Sequence, residues 1–155
     1  GDFAAMPPFW EVGVTGVALR VDEETGAVRV TKLASVADVG FAIHPEMVHG
    51  QDAGAAMMGL GAALKEELVY DGEMLANGNL VDYRVPRFSD LPELDLMLAE
   101  RRDGVGPYGA KGGGEGATNP VGGAVASALG RAVGRFPHQL PVTPERVWRL
   151  IKDRG

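Results

Sequence analysis

The apolar positions change period along the chain, and each change marks an element. Val17, Leu19 and Val21 alternate with Ala18, Arg20 and Asp22. A period of two sends alternate side chains to opposite faces of a strand. Asp22-Glu23-Glu24-Thr25-Gly26 then supplies the acids and the glycine of a tight turn. Val28, Val30 and the run from Leu33 to Val39 return as a second strand, so the pair reads as a β-hairpin. At Gly40 the pattern breaks. Phe41-Ala42-Ile43-His44-Pro45 leads into a helix expected over 46–69, with Pro45 at its first position and Met57, Leu60, Leu64 and Leu68 as its inner stripe. Gly50, Gly54, Gly59 and Gly61 lie inside that helix. Each costs about 1 kcal/mol against alanine, which points to a second backbone or a ligand coming close.

Turns follow at Tyr70-Asp71-Gly72-Glu73 and Asn77-Gly78, and 82–87 runs extended past Pro86. Leu94, Leu96 and Leu98 alternate with Asp95, Met97 and Ala99 as another strand. Residues 100–118 form a long loop, and structureless loops of that length tend to be functional or disordered. Asn119 and Pro120 suit the cap and start of a helix rich in small residues, running to Val133 and stopped by Gly134. Thr143-Pro144-Glu145 opens a last helix to about Asp153, with Val147, Leu150 and Ile151 facing inward. The fold class is therefore α+β: a β-hairpin and mixed sheet packed by a long Gly-rich helix and two C-terminal helices. Residues 1–11, with Pro7-Pro8 and Phe9-Trp10, read as an extended arm, and 12–155 as one domain or two small lobes.

Composition narrows the partners. The 155 residues are 45% hydrophobic and 23% charged, enough to bury a core, and carry a net charge of −6 without a basic cluster. That balance excludes nucleic acid as an expected partner. No apolar run reaches transmembrane length and no n-region/h-region signal stands at the start; a reducing cytoplasm is the default expectation. With no cysteine, the chain itself holds no disulfide, cysteine-ligated zinc or iron–sulfur cluster. It opens on Gly1, as expected of a processed chain, a piece of a longer one or an expression product carrying a scar.

The candidate chemistry gathers in Gly109-Ala110-Lys111-Gly112-Gly113-Gly114-Glu115-Gly116-Ala117-Thr118, which holds five glycines, one acid and one base. One reading is a flexible surface loop with a solvated glutamate. The other is a backbone cradle around a ligand, since glycine loops ahead of helices bind anions through their N–H groups. Lys111 either lowers the pKa of Glu115 or supports the loop. Elsewhere the signals are weaker. His44, His49 and His138 are dispersed, so a metal site made by this chain alone is not expected. His44 suits a helix cap, and Glu66-Glu67 suits a solvated helix face. Asp38 and Asp82 suit strand-end acids that bond loops, and Gln51 an exposed polar residue near the helix start. No serine sits in a nucleophile elbow.

The order of these pieces adds what none carries alone. Asp38-Val39-Gly40, His44-Pro45 and Gly50-Gln51 precede the glycine-rich helix and Lys65-Glu66-Glu67. Asp82-Tyr83-Arg84-Val85-Pro86, Asp90-Leu91-Pro92, Lys111-Gly112-Gly113-Gly114-Glu115 and Leu140-Pro141-Val142-Thr143-Pro144-Glu145 follow. This order, from about Val12 to Val147, resembles the C-terminal part of the molybdopterin-binding large subunit of the xanthine oxidase, aldehyde oxidoreductase and aerobic CO dehydrogenase family. The most specific motif is 111–115, similar to the family's K-G-V-G-E. The chain departs from the family in carrying His44 for a usual Asn, Gly113 for an aliphatic residue, Asp52-Ala53-Gly54 where a glycine pair commonly follows Gln51, and Met58 where Gln often stands.

The resemblance implies a molybdenum–molybdopterin cofactor shared with a partner chain, with FAD and 2Fe-2S clusters on other subunits. It implies Glu115 as general base, Gln51 as a cofactor contact, and Gly113 and Gly114 as backbone lying against the metal's ligands. The implied activity is oxidative hydroxylation of an aldehyde, N-heterocycle or similar small molecule. The implied partners are the remaining molybdopterin-binding chain, an iron–sulfur subunit and a flavin subunit, and the chain is expected to be inactive alone. The alternatives are a non-catalytic assembly or maturation subunit of such a complex, and a free-standing domain that binds an anion in the glycine loop.

Overall fold

The computed structural model describes residues 10–99 and 101–153. Nine residues of the expected arm, 1–9, lie outside this set. The hairpin forms as its alternation requires: β1 (Val12–Val21) pairs antiparallel with β2 (Val28–Asp38). Asp22 closes the turn, its carboxylate accepting from the amides of Glu24 (2.9 Å) and Thr25 (3.1 Å). Gly26 (φ +74°) lets the turn lie against the backbone of the last helix, where a Cβ would strike Pro144 and Trp148.

α1 (Pro45–Leu64) starts on His44, whose Nδ1 accepts from the Met47 amide (3.3 Å), so the histidine is a cap. The helix stops five residues short of the expected end. The Gly61 carbonyl accepts from both Lys65 (2.9 Å) and Glu66 (2.8 Å), and Glu66 folds back into the space a Cβ at 61 would need. Lys65 then pairs with Asp90, and Glu67 with Arg146 (2.7 Å). The two glutamates therefore lie beyond the helix rather than on its solvated face. The inner face also differs from the Met/Leu stripe: Ala55, Ala56, Gly59, Leu60 and Ala63 are buried, while Leu68 is exposed.

A two-rung hairpin, β3 (Tyr70–Asp71) with β4 (Met74–Leu75), precedes β5 (Glu93–Leu98). β5 runs parallel to β2, so the main sheet is mixed, in the order β1-β2-β5. α2 (Thr118–Val133) lies on β1, α1 lies on β5, and the two helices pack on each other. α2 begins one residue before its expected cap, with the Thr118 amide bonding the Glu115 carbonyl (3.0 Å); it ends on Gly134 (φ +78°). α3 (Pro144–Lys152) is capped by Thr143 and buries Val147 and Ile151. Leu33, Val121, Val125, Leu129 and Val147 fill the core between sheet and helices. Each such side chain contributes about 1.5–3 kcal/mol by leaving water. Among the described residues no helix is long and apolar enough to cross a membrane.

The helix glycines separate into two kinds. At Gly59 a Cβ would lie 2.7 Å from Val121 Cβ and 2.8 Å from the Thr118 carbonyl, so this glycine sets the α1–α2 approach. At Gly54 a Cβ would meet nothing within 4 Å. Gly59→Ala is accordingly expected to lose about 1–3 kcal/mol in urea unfolding. Gly54→Ala is expected to gain up to about 1 kcal/mol. Equal effects at the two positions would contradict this packing.

Candidate functional site

The glycine loop is tied down at three points. At its start the Lys111 amide donates to the Val39 carbonyl (2.8 Å), and Gly40 (φ +65°) bridges Ala110. The Lys111 ammonium sits between Asp38 (2.8 Å) and Asp103 (2.8 Å), with its side chain only 16% exposed. Asp38 also accepts from the Gly40 amide (3.0 Å), the loop-bonding role expected of a strand-end acid. The hydrogen bond from Lys111 holds the Asp38 carboxyl below the usual range, and the bonds to Asp103 and Asp38 push Lys111 up. Lys111 therefore supports the loop. Its charge is committed to these two aspartates and not to Glu115.

At the loop's centre, Glu11 reaches in from just before β1. One carboxylate oxygen, Oε2, accepts from the amides of Gly114 (3.2 Å) and Gly116 (3.1 Å). At the far end the Thr118 hydroxyl donates to the Ala55 carbonyl (3.0 Å) and fastens the loop to α1.

Glu115 stands exposed between these ties, on an open cleft of about 580 Å³ whose lining includes Trp10, Met58, Gly113 and Asn119. Gln51 is exposed on the first half of α1, and its Nε2 lies 3.7 Å from where a Cβ on Gly114 would be. At Gly113 a Cβ would come 3.1 Å from Val39 Cγ1. The fold thus brings Gln51, Gly113, Gly114 and Glu115 into one neighbourhood.

Two acids in this region were not singled out from the sequence. Asp52 is 2% exposed, and its Oδ1 is buried with no hydrogen-bond partner among the described residues, as is Glu11 Oε1. Burial pushes the Glu11 carboxyl up, the Asp52 charge adds to this, and the two loop amides oppose it. Burial likewise raises Asp52, with His49 opposing. A signal existed for each. Glu11 stands between an aromatic pair and a valine-rich strand, and Asp52 among small and apolar helix residues, which marks each as unusual without showing its role.

The sequence profile of the molybdopterin cofactor-binding domain matches residues 3–92, and the chain belongs to that domain family. It is similar to the 6-hydroxypseudooxynicotine dehydrogenase complex subunit gamma of Paenarthrobacter nicotinovorans, 36% identical over 141 residues that make up 88% of this chain and 18% of that protein. In three dimensions it resembles quinoline 2-oxidoreductase from Pseudomonas putida 86, with TM-score 0.82, 33% identity, and coverage of 90% of this chain and 18% of that one. It also resembles the aldehyde oxidoreductase of Desulfovibrio gigas, with TM-score 0.83, 30% identity, and coverage of 92% and 15%. Through these relatives the chain falls in the xanthine oxidase, aldehyde oxidoreductase and CO dehydrogenase family of molybdenum hydroxylases. It spans under a fifth of their length. The profile ends before the glycine loop begins.

The site's donors suit an organic cofactor better than a bare ion. Among the described residues no three His, Cys, Asp or Glu side chains converge to hold a metal. In and beside the cleft lie instead the Gln51 side-chain amide, close-lying glycine backbone and the exposed Glu115 carboxylate. These groups fit a polar pterin whose metal is held by the cofactor's own atoms.

The lysine tie gives a pH-dependent prediction. Carboxyls depressed in the folded state stabilise it above their ordinary value of about 3.9 and lose that contribution as pH falls through the lower folded value. Lys111→Met is expected to lower Tm at pH 7, and the deficit is expected to shrink steadily below about pH 4 as Asp38 and Asp103 protonate. A deficit that is unchanged at the acid end would show that Lys111 acts by something other than this pairing.

Proposed function

We propose that this chain forms one wall of a molybdenum-cofactor pocket and supplies its general base, Glu115, for oxidative hydroxylation of an aldehyde, an N-heterocycle or a similar small molecule. The observation that carries the reading is an exposed carboxylate on the cleft with glycine backbone on both sides of it, and the Gln51 amide close by at Gly114. The Gln51 side chain and the main chain at Gly113 and Gly114 would hold the molybdopterin. When bound, the molybdenum centre supplies the sink for the two electrons that the substrate gives up. Glu115 receives the proton released in that reaction on a carboxylate oxygen. The lack of side chains on its neighbours lets the cofactor approach that oxygen closely.

Trp10 and Met58 give the cleft apolar walls on this side. The other walls, and the residues that select the substrate, come in this reading from the remaining molybdopterin-binding chain. An iron–sulfur subunit and a flavin subunit complete the electron path, so this chain is inactive by itself.

A positioned base contributes about 10²–10⁴-fold in rate. In the assembled enzyme Glu115→Gln is therefore expected to cut turnover by about that factor while the molybdenum content per enzyme is unchanged. Gln51→Ala is expected to lower the molybdenum content instead. Full turnover in the Glu115→Gln enzyme would remove the base assignment.

A further inference from the structure

The amides of Gly114 and Gly116 bracket Glu115 and converge on a single oxygen, Glu11 Oε2, at 3.2 and 3.1 Å. Successive N–H groups aimed at one point are how loop backbones bind anions. Here the anion belongs to the chain itself. We infer that Glu11 is a built-in anion that seats the glycine loop and so fixes the direction of Glu115, a positioning residue for the base. The positioning role rests on the reading of Glu115 above; the seating of the loop does not.

A second observation points the same way from the other partner. A Cβ built on Gly116 would fall on the carboxyl group of Glu11. No positive φ forces glycine at 116, so the space taken by Glu11 is the reason for a bare backbone there. Glu11 and Gly116 thus form a matched pair, an acid and the gap that admits it. The seat is also one that a carboxylate would not take without the amides. Glu11 Oε1 is buried with no partner among the described residues, and both burial and the nearby Asp52 carboxyl work against a charge there. Hydrogen bonds from N–H groups to an ionised acceptor are stronger than neutral ones, and here they are what keeps the carboxylate in place. Glu115 itself remains exposed to the cleft, held through its main chain on both sides.

The test uses the assembled protein and two variants that empty the seat by different routes. Glu11→Ala removes the anion, and Gly116→Ala keeps it but fills its space. Hydrogen exchange is read by mass spectrometry on a peptide spanning residues 111–118. Both variants are expected to speed exchange there by about tenfold or more, the factor for losing a hydrogen bond to a charged group, with exchange across α2 unchanged. Glu11→Gln, which keeps a carbonyl acceptor, is expected to restore most of the protection. In turnover, Glu11→Ala is expected to lower kcat with KM within about twofold, the pattern of a misplaced base rather than of lost substrate binding. That loss is expected to vanish when Glu115 is already Gln. Unchanged exchange in both alanine variants would overturn the seating. Faster exchange with an unchanged kcat would overturn the positioning role. Should Glu115→Gln alone leave turnover intact, the base reading falls, while the exchange result still decides whether Glu11 seats the loop.

Discussion

A ten-residue stretch with five glycines has almost no side chains with which to pack, so its shape must be imposed from outside. Everything else about this site depends on how that is done. A lysine between two aspartates fixes the start of the loop to the end of β2, a carboxylate from the residue before β1 holds its middle, and a threonine hydroxyl ties its end to α1. Each tie joins the loop to a different rigid element. The loop can therefore be bare on the side that faces the cleft and still be ordered, which is what presenting a single carboxylate on open backbone requires.

The hydrophobic core serves that arrangement. Gly59 lets α1 and α2 approach until Thr118 reaches the Ala55 carbonyl, and so sets where the far end of the loop lies. The parallel pairing of β5 with β2 sends the chain from β5 into residues 101–110, which return alongside Gly40 and carry Asp103 to Lys111. The sheet, the helix pair and the loop are thus one connected structure, and the site sits where they meet. In the proposed pocket the rest of the cleft wall comes from further polypeptide. The chain's relatives are more than five times as long as the part it matches, in keeping with a pocket shared between this domain and further polypeptide.

Much of this was legible in the sequence. The hairpin followed from two-residue periodicity, the start of α1 from His44-Pro45, the end of α2 from Gly134, and the family from the order of short motifs around 111–115. The end of α1 was not legible, because it depends on Glu66 folding over Gly61 and on ion pairs with Asp90 and Arg146, residues distant in the chain. The same limit hid the role of Glu11. An acid beside two aromatics says nothing of two amides more than a hundred residues away. Lys111 was ambiguous for a related reason: proximity in sequence to Glu115 suggested one partner, and the fold supplied two others.

The central claim is that main chain pinned in this way delivers Glu115 to a pterin-bound metal. The most direct measurement is an experimental structure of the assembled, cofactor-loaded enzyme. The Glu115 carboxylate is expected within hydrogen-bond reach, about 2.6–3.2 Å, of the molybdenum centre's coordinating atoms, with Gln51 against the cofactor. A Glu115 side chain directed into bulk water, with the pterin housed elsewhere, would contradict it.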